Sequence, residues 1–269
     1  MDKQSIENIS KIMRRRILDI SYSCNISTHL GGGLSIVDIL ALLYGDVLKF
    51  DPENPFWDDR DRFILSKGHG VLGFYSALLS VGILSKEKFN TFQTNESDLI
   101  AHPVMNLSLG IESSNGSLGH GLSMGVGLAI AAKKKNRDNK VYVLLGDGEC
   151  NEGSVWEAVM SASHFKLDNL IAIVDYNRFQ SDGECRTILD TGAFDERWKS
   201  FGWDTYSVDG HNIEDLYNAF IAKNSDSRPK VIIANTVKGK GITFMENNND
   251  WHHNRLTKSL YEKALQELT

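Results

Sequence analysis

Apolar positions fall first at helical spacing. Ile6, Ile9, Met13, Ile17 and Ile20 recur every three or four residues and predict an amphipathic opening helix. The run "LSIVDILALLY" (34–44) predicts a second helix and "GVLGFYSALLSVG" (70–82) a third. Between them the polar, proline-bearing stretch "FDPENPFWDDRDRF" reads as a long loop. The stretch "SLGHGLSMGVGLAIAAKKK" (117–135) predicts another helix in spite of Gly119, Gly121, Gly125 and Gly127. Each glycine costs about 1 kcal/mol in a helix interior, so four together imply that a backbone or a ligand comes close.

Further along, short apolar runs alternate with helical patterns. "KVYVLL" (140–145), "NLIAIV" (169–174) and "KVIIANTV" (230–237) predict strands, with a helix over 154–165 and a tail helix in "RLTKSLYEKALQELT". Strand–helix–strand spacing predicts right-handed crossovers: an α/β fold whose parallel sheet carries helices on both faces. With no internal repeat and no shift of composition, residues 1–269 are expected to form one domain.

Composition narrows the function classes only slightly. The 269 residues are 41% hydrophobic and 24% charged, with net charge −6. That mild acidity argues against nucleic acid as the main partner. The basic run Lys133–Lys135 with Arg137 closes a predicted helix, where cations suit the carbonyl end of the dipole; Arg14–Arg16 reads as an equally ordinary helix face. Cys24, Cys150 and Cys185 lie too far apart for a CxxC site, which suits reduced thiols in the cytoplasm. No signal-like segment or spanning apolar run is read from the chain, so neither export nor a membrane is expected.

The informative stretch is "VYVLLGDGECNEGSVWEA" (141–158), where an apolar strand ends in Asp147, Glu149 and Glu152. Carboxylates at the end of a core strand call for a positive partner. In a parallel sheet ligands sit beyond the carboxyl ends of the strands, and Asn177 follows the next strand as Asp147 follows this one. A carboxylate and a carboxamide oxygen suit magnesium or calcium, and magnesium completes its shell with phosphate oxygens and water. Capping of a helix by Asp147 and of a turn by Asn177 is the plainer alternative for either residue alone.

"GDG" after one strand and "N" after the next resembles the thiamine diphosphate-binding motif. With "LSKGHG" (65–70), "AHP" (101–103), "ESSNGSLGHGLSMGVGLA" (112–129), "DYNRFQSDG" (175–183) and "VKGKGITFMENNNDWHH" (237–253), the chain resembles the N-terminal, diphosphate-binding domain of transketolase over nearly its whole length. The resemblance implies the thiamine diphosphate-binding fold and thiamine diphosphate with Mg (or Ca/Mn) as cofactors. It implies a metal held by Asp147, Asn177 and the main-chain carbonyl of Phe179. It also implies that Gly148 admits the diphosphate, that Gly116, Ser117 and Leu118 meet the pyrimidine end, and that Glu152 lies at a subunit interface, against the plainer reading of a surface helix start.

Four histidines fall inside matching stretches. The resemblance puts His69 and His252 near the diphosphate and reaction centre, and His29 and His102 against sugar hydroxyls. Imidazole suits this work because it donates or accepts near neutral pH. His120, His164, His211 and His253 carry no expected role, although His253 stands beside His252. Ile26 and Thr28 replace the smaller residues commoner before the histidine, which bears on the donor sugar.

The implied reaction moves a two-carbon ketol unit from a ketose or its phosphate to an aldehyde. The family's pyrimidine-binding domain has no counterpart here, so the resemblance implies a separate partner subunit carrying it, as an α2β2 heterotetramer. The α subunit of a thiamine-dependent 2-oxo acid dehydrogenase shares the motif and is one alternative; a non-catalytic cofactor-binding module is another.

Overall fold

Val141–Gly146 is buried at every position because the strand it forms is covered on both sides. The computed structural model describes residues 1–225 and 227–268, so Asp226 and the last residue of the expected tail helix, Thr269, lie outside the described residues. Five strands form a wholly parallel sheet: β1 (Arg62–Leu65), β2 (Val141–Gly146), β3 (Leu170–Tyr176), β6 (Asp204–Asp209) and β7 (Lys230–Asn235), in the order β1-β2-β3-β7-β6. A two-residue hairpin, β4 (Phe179–Gln180) with β5 (Gly183–Glu184), follows β3.

The helices are α1 (Lys3–Ser23), α2 (Leu30–Leu34), α3 (Val37–Leu42), α4 (Val71–Ser80), α5 (Lys86–Phe89), α6 (Gly121–Lys134), α7 (Gly153–His164), α8 (Cys185–Ile188), α9 (Phe194–Ser200), α10 (Ile213–Ile221) and α11 (Lys258–Glu267). The sheet separates two cores. Tyr142 and Leu144 of β2 and Ile171 and Ile173 of β3 pack with α1, α3, α4 and α10. Val141, Val143 and Leu145, with Leu170, Ala172 and Val174, pack with α6, α7 and α9. The strict alternation of strand residues between the cores is the period of two expected of strands buried on both faces.

Several expected elements change shape. The run over 34–44 is not one helix: it breaks at Ser35 and Ile36 between α2 and α3. The Ser35 hydroxyl bonds the Gly32 carbonyl at 3.2 Å and Asp175 at 2.7 Å, competing with helical pairing. The stretch Leu30–Val47 is apolar enough and long enough to cross a membrane by composition, and 83% of it is buried inside the fold as core. The helix expected from residue 117 starts at Gly121, because Gly119 turns the chain in the left-handed region (φ +82). Of the four glycines, Gly125 is where α6 meets the sheet: a β-carbon there would lie 2.5 Å from Val143 Cγ2. Gly127 faces open space. The supposed loop before α4 ends in β1, and "GVLGFYSALLSVG" is α-helical only over α4.

Candidate functional site

Adjacent strands of a parallel sheet all end on one edge, and four neighbouring strand ends here deliver polar residues. Lys67 follows β1, Asp147 follows β2, Asn177 follows β3, and Thr236 and Lys238 follow β7. Over this edge lies a cavity of about 230 Å³ lined by Lys67, His69, Gly116, Leu118, Asp147, Gly148, Asn177, Phe179 and Lys238, with His29, His102 and His252 also on its wall. The structure thus gathers all four expected histidines and the expected Asp147–Asn177–Phe179 set into one cleft. Ser117 is exposed on the loop between Gly116 and Leu118. Glu152 is exposed at the start of α7 with no side-chain cap bond, outside the cavity. A larger groove, about 830 Å³, lies between α1, α5 and α11; its carboxylate, Asp19, is already bound by Arg15.

At the strand ends, Asp175 organises the floor. It is fully buried, and its oxygens accept from Lys67 Nζ, Ser35 Oγ, Asn177 Nδ2 at 2.8 Å and Thr236 Oγ1. Burial pushes its carboxyl up, but the Lys67 ammonium and the hydroxyls outweigh this and hold it below the usual carboxylate range. By taking the Asn177 amide nitrogen, Asp175 turns the amide oxygen the other way, where it also accepts from Phe179 N at 3.0 Å.

Asp147 is only 6% exposed, yet no cation pairs with it among the described residues. Its oxygens accept from the backbone amides of Gly148 at 2.8 Å and Arg178 at 2.5 Å, so the capping alternative is also realised. Burial, reinforced by the charge of Asp175, pushes it up to about 6. Arg178 holds the left-handed conformation (φ 70), turning its amide to Asp147 and leading directly into β4. A buried carboxylate this poorly compensated fits a cation ligand. Among the described residues no three His, Cys, Asp or Glu converge as a metal site, which leaves the oxygen set of one carboxylate, one carboxamide and one carbonyl.

Lys238 is 1% exposed, and its ammonium donates to Asn249 Oδ1 at 2.7 Å and Gln180 O at 3.3 Å, beside His252 Nδ1 at 3.0 Å. With no carboxylate partner among the described residues, it is lowered to about 8 by burial and then by Lys67. A buried ammonium with no carboxylate partner among the described residues suits a phosphate-bearing ligand. Around it the imidazoles cluster: His29 lies 5.5 Å from His69, 5.7 Å from His102 and 5.4 Å from His252, centroid to centroid. Burial first, then neighbouring imidazoles and Lys67, push His29 down to about 3, and burial and Lys238 push His252 to about 4. At neutral pH these rings are uncharged hydrogen-bonding groups.

Sequence reasoning missed Lys67, Lys238, Asp175 and the part played by Glu149. Glu149 is 2% exposed and clamps the loop before α6 to the strand end, accepting from Gly119 N at 2.9 Å, Gly146 N at 3.0 Å and Ser66 Oγ. For the lysines the available signal was a lysine beside glycines after a predicted strand, in "LSKGHG" and "VKGKG".

The family model for "Transketolase, thiamine diphosphate binding domain" matches residues 7–267. An apulose-4-phosphate transketolase subunit of Phocaeicola vulgatus is 40% identical over 270 residues, covering 100% of this chain and 95% of that one. A 6-deoxy-6-sulfo-D-fructose transketolase subunit from a Clostridium species is 41% identical over 241 residues, covering 89% of this chain and 88% of that one. Among solved structures, Campylobacter jejuni transketolase superposes with a TM-score of 0.89 at 32% identity, over 100% of this chain and 43% of that one. Pichia stipitis transketolase in complex with sedoheptulose-7-phosphate gives 0.90 at 28% identity, over 98% of this chain and 41% of that one.

Proposed function

The chain belongs to the transketolase family as an N-terminal, thiamine diphosphate-binding subunit serving ketol transfer, and we propose that Asp147, Asn177 and the Phe179 carbonyl hold a magnesium ion for it. Supporting this is the buried, cation-free Asp147 at a strand end beside the carboxamide of Asn177. Gly148 lies where the diphosphate meets the backbone, with Lys238, His69 and His252 as its facing donors. Gly116, Ser117 and Leu118 lead toward the pyrimidine end.

When bound, thiamine diphosphate supplies the electron sink for breaking the ketose carbon–carbon bond. The residues of this chain orient and transfer protons. Uncharged His29 and His102 accept from and donate to sugar hydroxyls, while His69 and His252 hold protons near the reacting carbons. Relatives that this chain matches over 95% and 88% of their own length are named as transketolase subunits. We therefore assign to this chain a partner, a C-terminal transketolase subunit carrying the pyrimidine-binding domain, in an α2β2 assembly. Leu128 on α6, with Met160 on α7 and Phe165 just after it, exposes apolar surface that suits a partner. Glu152, at the start of α7, belongs to the same interface. Residues 1–269 act as one cofactor-binding domain, in the cytoplasm, on a sugar or sugar phosphate. The 2-oxo acid dehydrogenase alternative lacks support, since the matched family and relatives are transketolases.

Calorimetry of the assembled complex tests the metal assignment. Asp147→Ala should abolish magnesium-dependent thiamine diphosphate binding while the complex still forms. Unchanged cofactor affinity in that variant would remove Asp147 from the metal site.

A further inference from the structure

His253 had no expected role, and it does not line the inner cavity. Its position is nonetheless set by a specific device. Thr28 and Asn254 form an antiparallel bridge, exchanging both backbone bonds at 2.9 and 3.0 Å. Although this bridge is isolated, antiparallel geometry places the pair next to a doubly bonded one side chain to side chain. That pair is His29 and His253, one residue inward on each strand. Their rings lie 4.5 Å apart, closer than His29 stands to His69, His102 or His252. Beyond the bridge, Arg255 Nη2 donates to Asn25 Oδ1, so the chain after His253 is tied to the end of α1 as well.

The two neighbouring histidines divide their work. His252 gives one ring nitrogen to Lys238 deep in the cleft. His253 is exposed, and among the described residues neither of its ring nitrogens has a hydrogen-bond partner. An exposed imidazole set beside a backbone bridge and over the His29 ring stabilises little by itself, but it is preorganised to meet something at the cleft mouth.

We propose that His253 is a specificity residue that hydrogen-bonds the part of a sugar lying beyond the carbons that react. This rests on the transketolase reading of the cleft, in which the reacting carbonyl points toward the strand ends. A polyhydroxylated chain entering that way passes His29 and leaves its distal hydroxyls, or a terminal phosphate, at the mouth under His253. A donor with nothing beyond the breaking bond cannot reach it.

Steady-state kinetics of the assembled two-subunit enzyme test this with two donors: the best C5 or C6 ketose from a panel, and three-carbon hydroxypyruvate. His253→Ala should raise the ketose KM about tenfold, the loss of one hydrogen bond. Hydroxypyruvate kinetics and thiamine diphosphate affinity should stay unchanged, and His253→Gln should recover most of the ketose KM. Equal losses for both donors would make His253 a structural residue and overturn the proposal, as would no change for either. A wild-type complex that binds the cofactor but turns over neither donor overturns the transferase reading too, and wild-type turnover tells the two failures apart.

Discussion

The ends of β2 and β3 each carry a buried aspartate, and the two are treated in opposite ways. Asp175 meets an ammonium, two hydroxyls and an amide, and its carboxyl is held low. Asp147, on the neighbouring strand end, meets two backbone amides and the Cys185 thiol but no cation among the described residues, and is pushed up to about 6. A fully partnered buried charge belongs to the fold. An under-partnered one beside it is the carboxylate we propose as a cation ligand.

The largest effect expected from this contrast is on stability. Asp175→Ala leaves Lys67 buried and unpaired and should cost about 3–5 kcal/mol in urea unfolding. Asp147→Ala, measured without divalent cation, should change stability by less than about 1 kcal/mol, because two lost amide bonds are offset by removal of an uncompensated charge. Equal losses in the two variants would break the contrast.

Why one of these carboxylates was legible and the other was not is a matter of range. Asp147 announces itself by standing after an apolar strand in a glycine turn, a local pattern. Asp175 closes the apolar run that forms β3, and its partner Lys67 is 108 positions away, so no window of sequence shows that the two neutralise each other. The same limit explains the fold. β2, β3, β7, α1 and α7 are continuous apolar or periodic segments and were readable. β6 is an edge strand with no fully buried position, and β1 is only four residues after a polar loop. The histidines were legible as motif members, but the Thr28–Asn254 bridge beside which His253 faces His29 joins distant parts of the chain.

A smaller effect separates the imidazole side of the cleft from the carboxylate side. His29 is pushed from about 6.5 down to about 3, so the unfolded chain binds its proton first. Its contribution to stability is therefore complete above about pH 6.5 and is progressively lost as pH falls toward its folded value. In His29→Asn the fall of the urea midpoint between about pH 7 and pH 5 should be shallower than in the wild type. An identical fall would show that the ring does not titrate with folding. The smallest effect concerns Arg178, whose backbone, not guanidinium, touches Asp147. Arg178→Gly keeps the left-handed turn and should shift stability by less than about 1 kcal/mol, with magnesium-dependent cofactor affinity retained. Loss of that affinity in calorimetry would assign the side chain a part in the site.

The tie between Asn25 and Arg255 spans 230 positions, and the Thr28–Asn254 bridge lies just inside it. During synthesis His29, just after the opening helix, therefore waits without its facing wall until the segment around residue 254 has been made. Contacts of such long sequence separation form late, because the intervening chain must first be ordered. The sheet and the core that packs with α6, α7 and α9 can collapse while the mouth of the cleft is still open, so helical signal should begin to return in stopped-flow refolding before the wall that faces the substrate closes. Simultaneous recovery of helical signal and of a fluorescence probe placed at position 253 would refute that order.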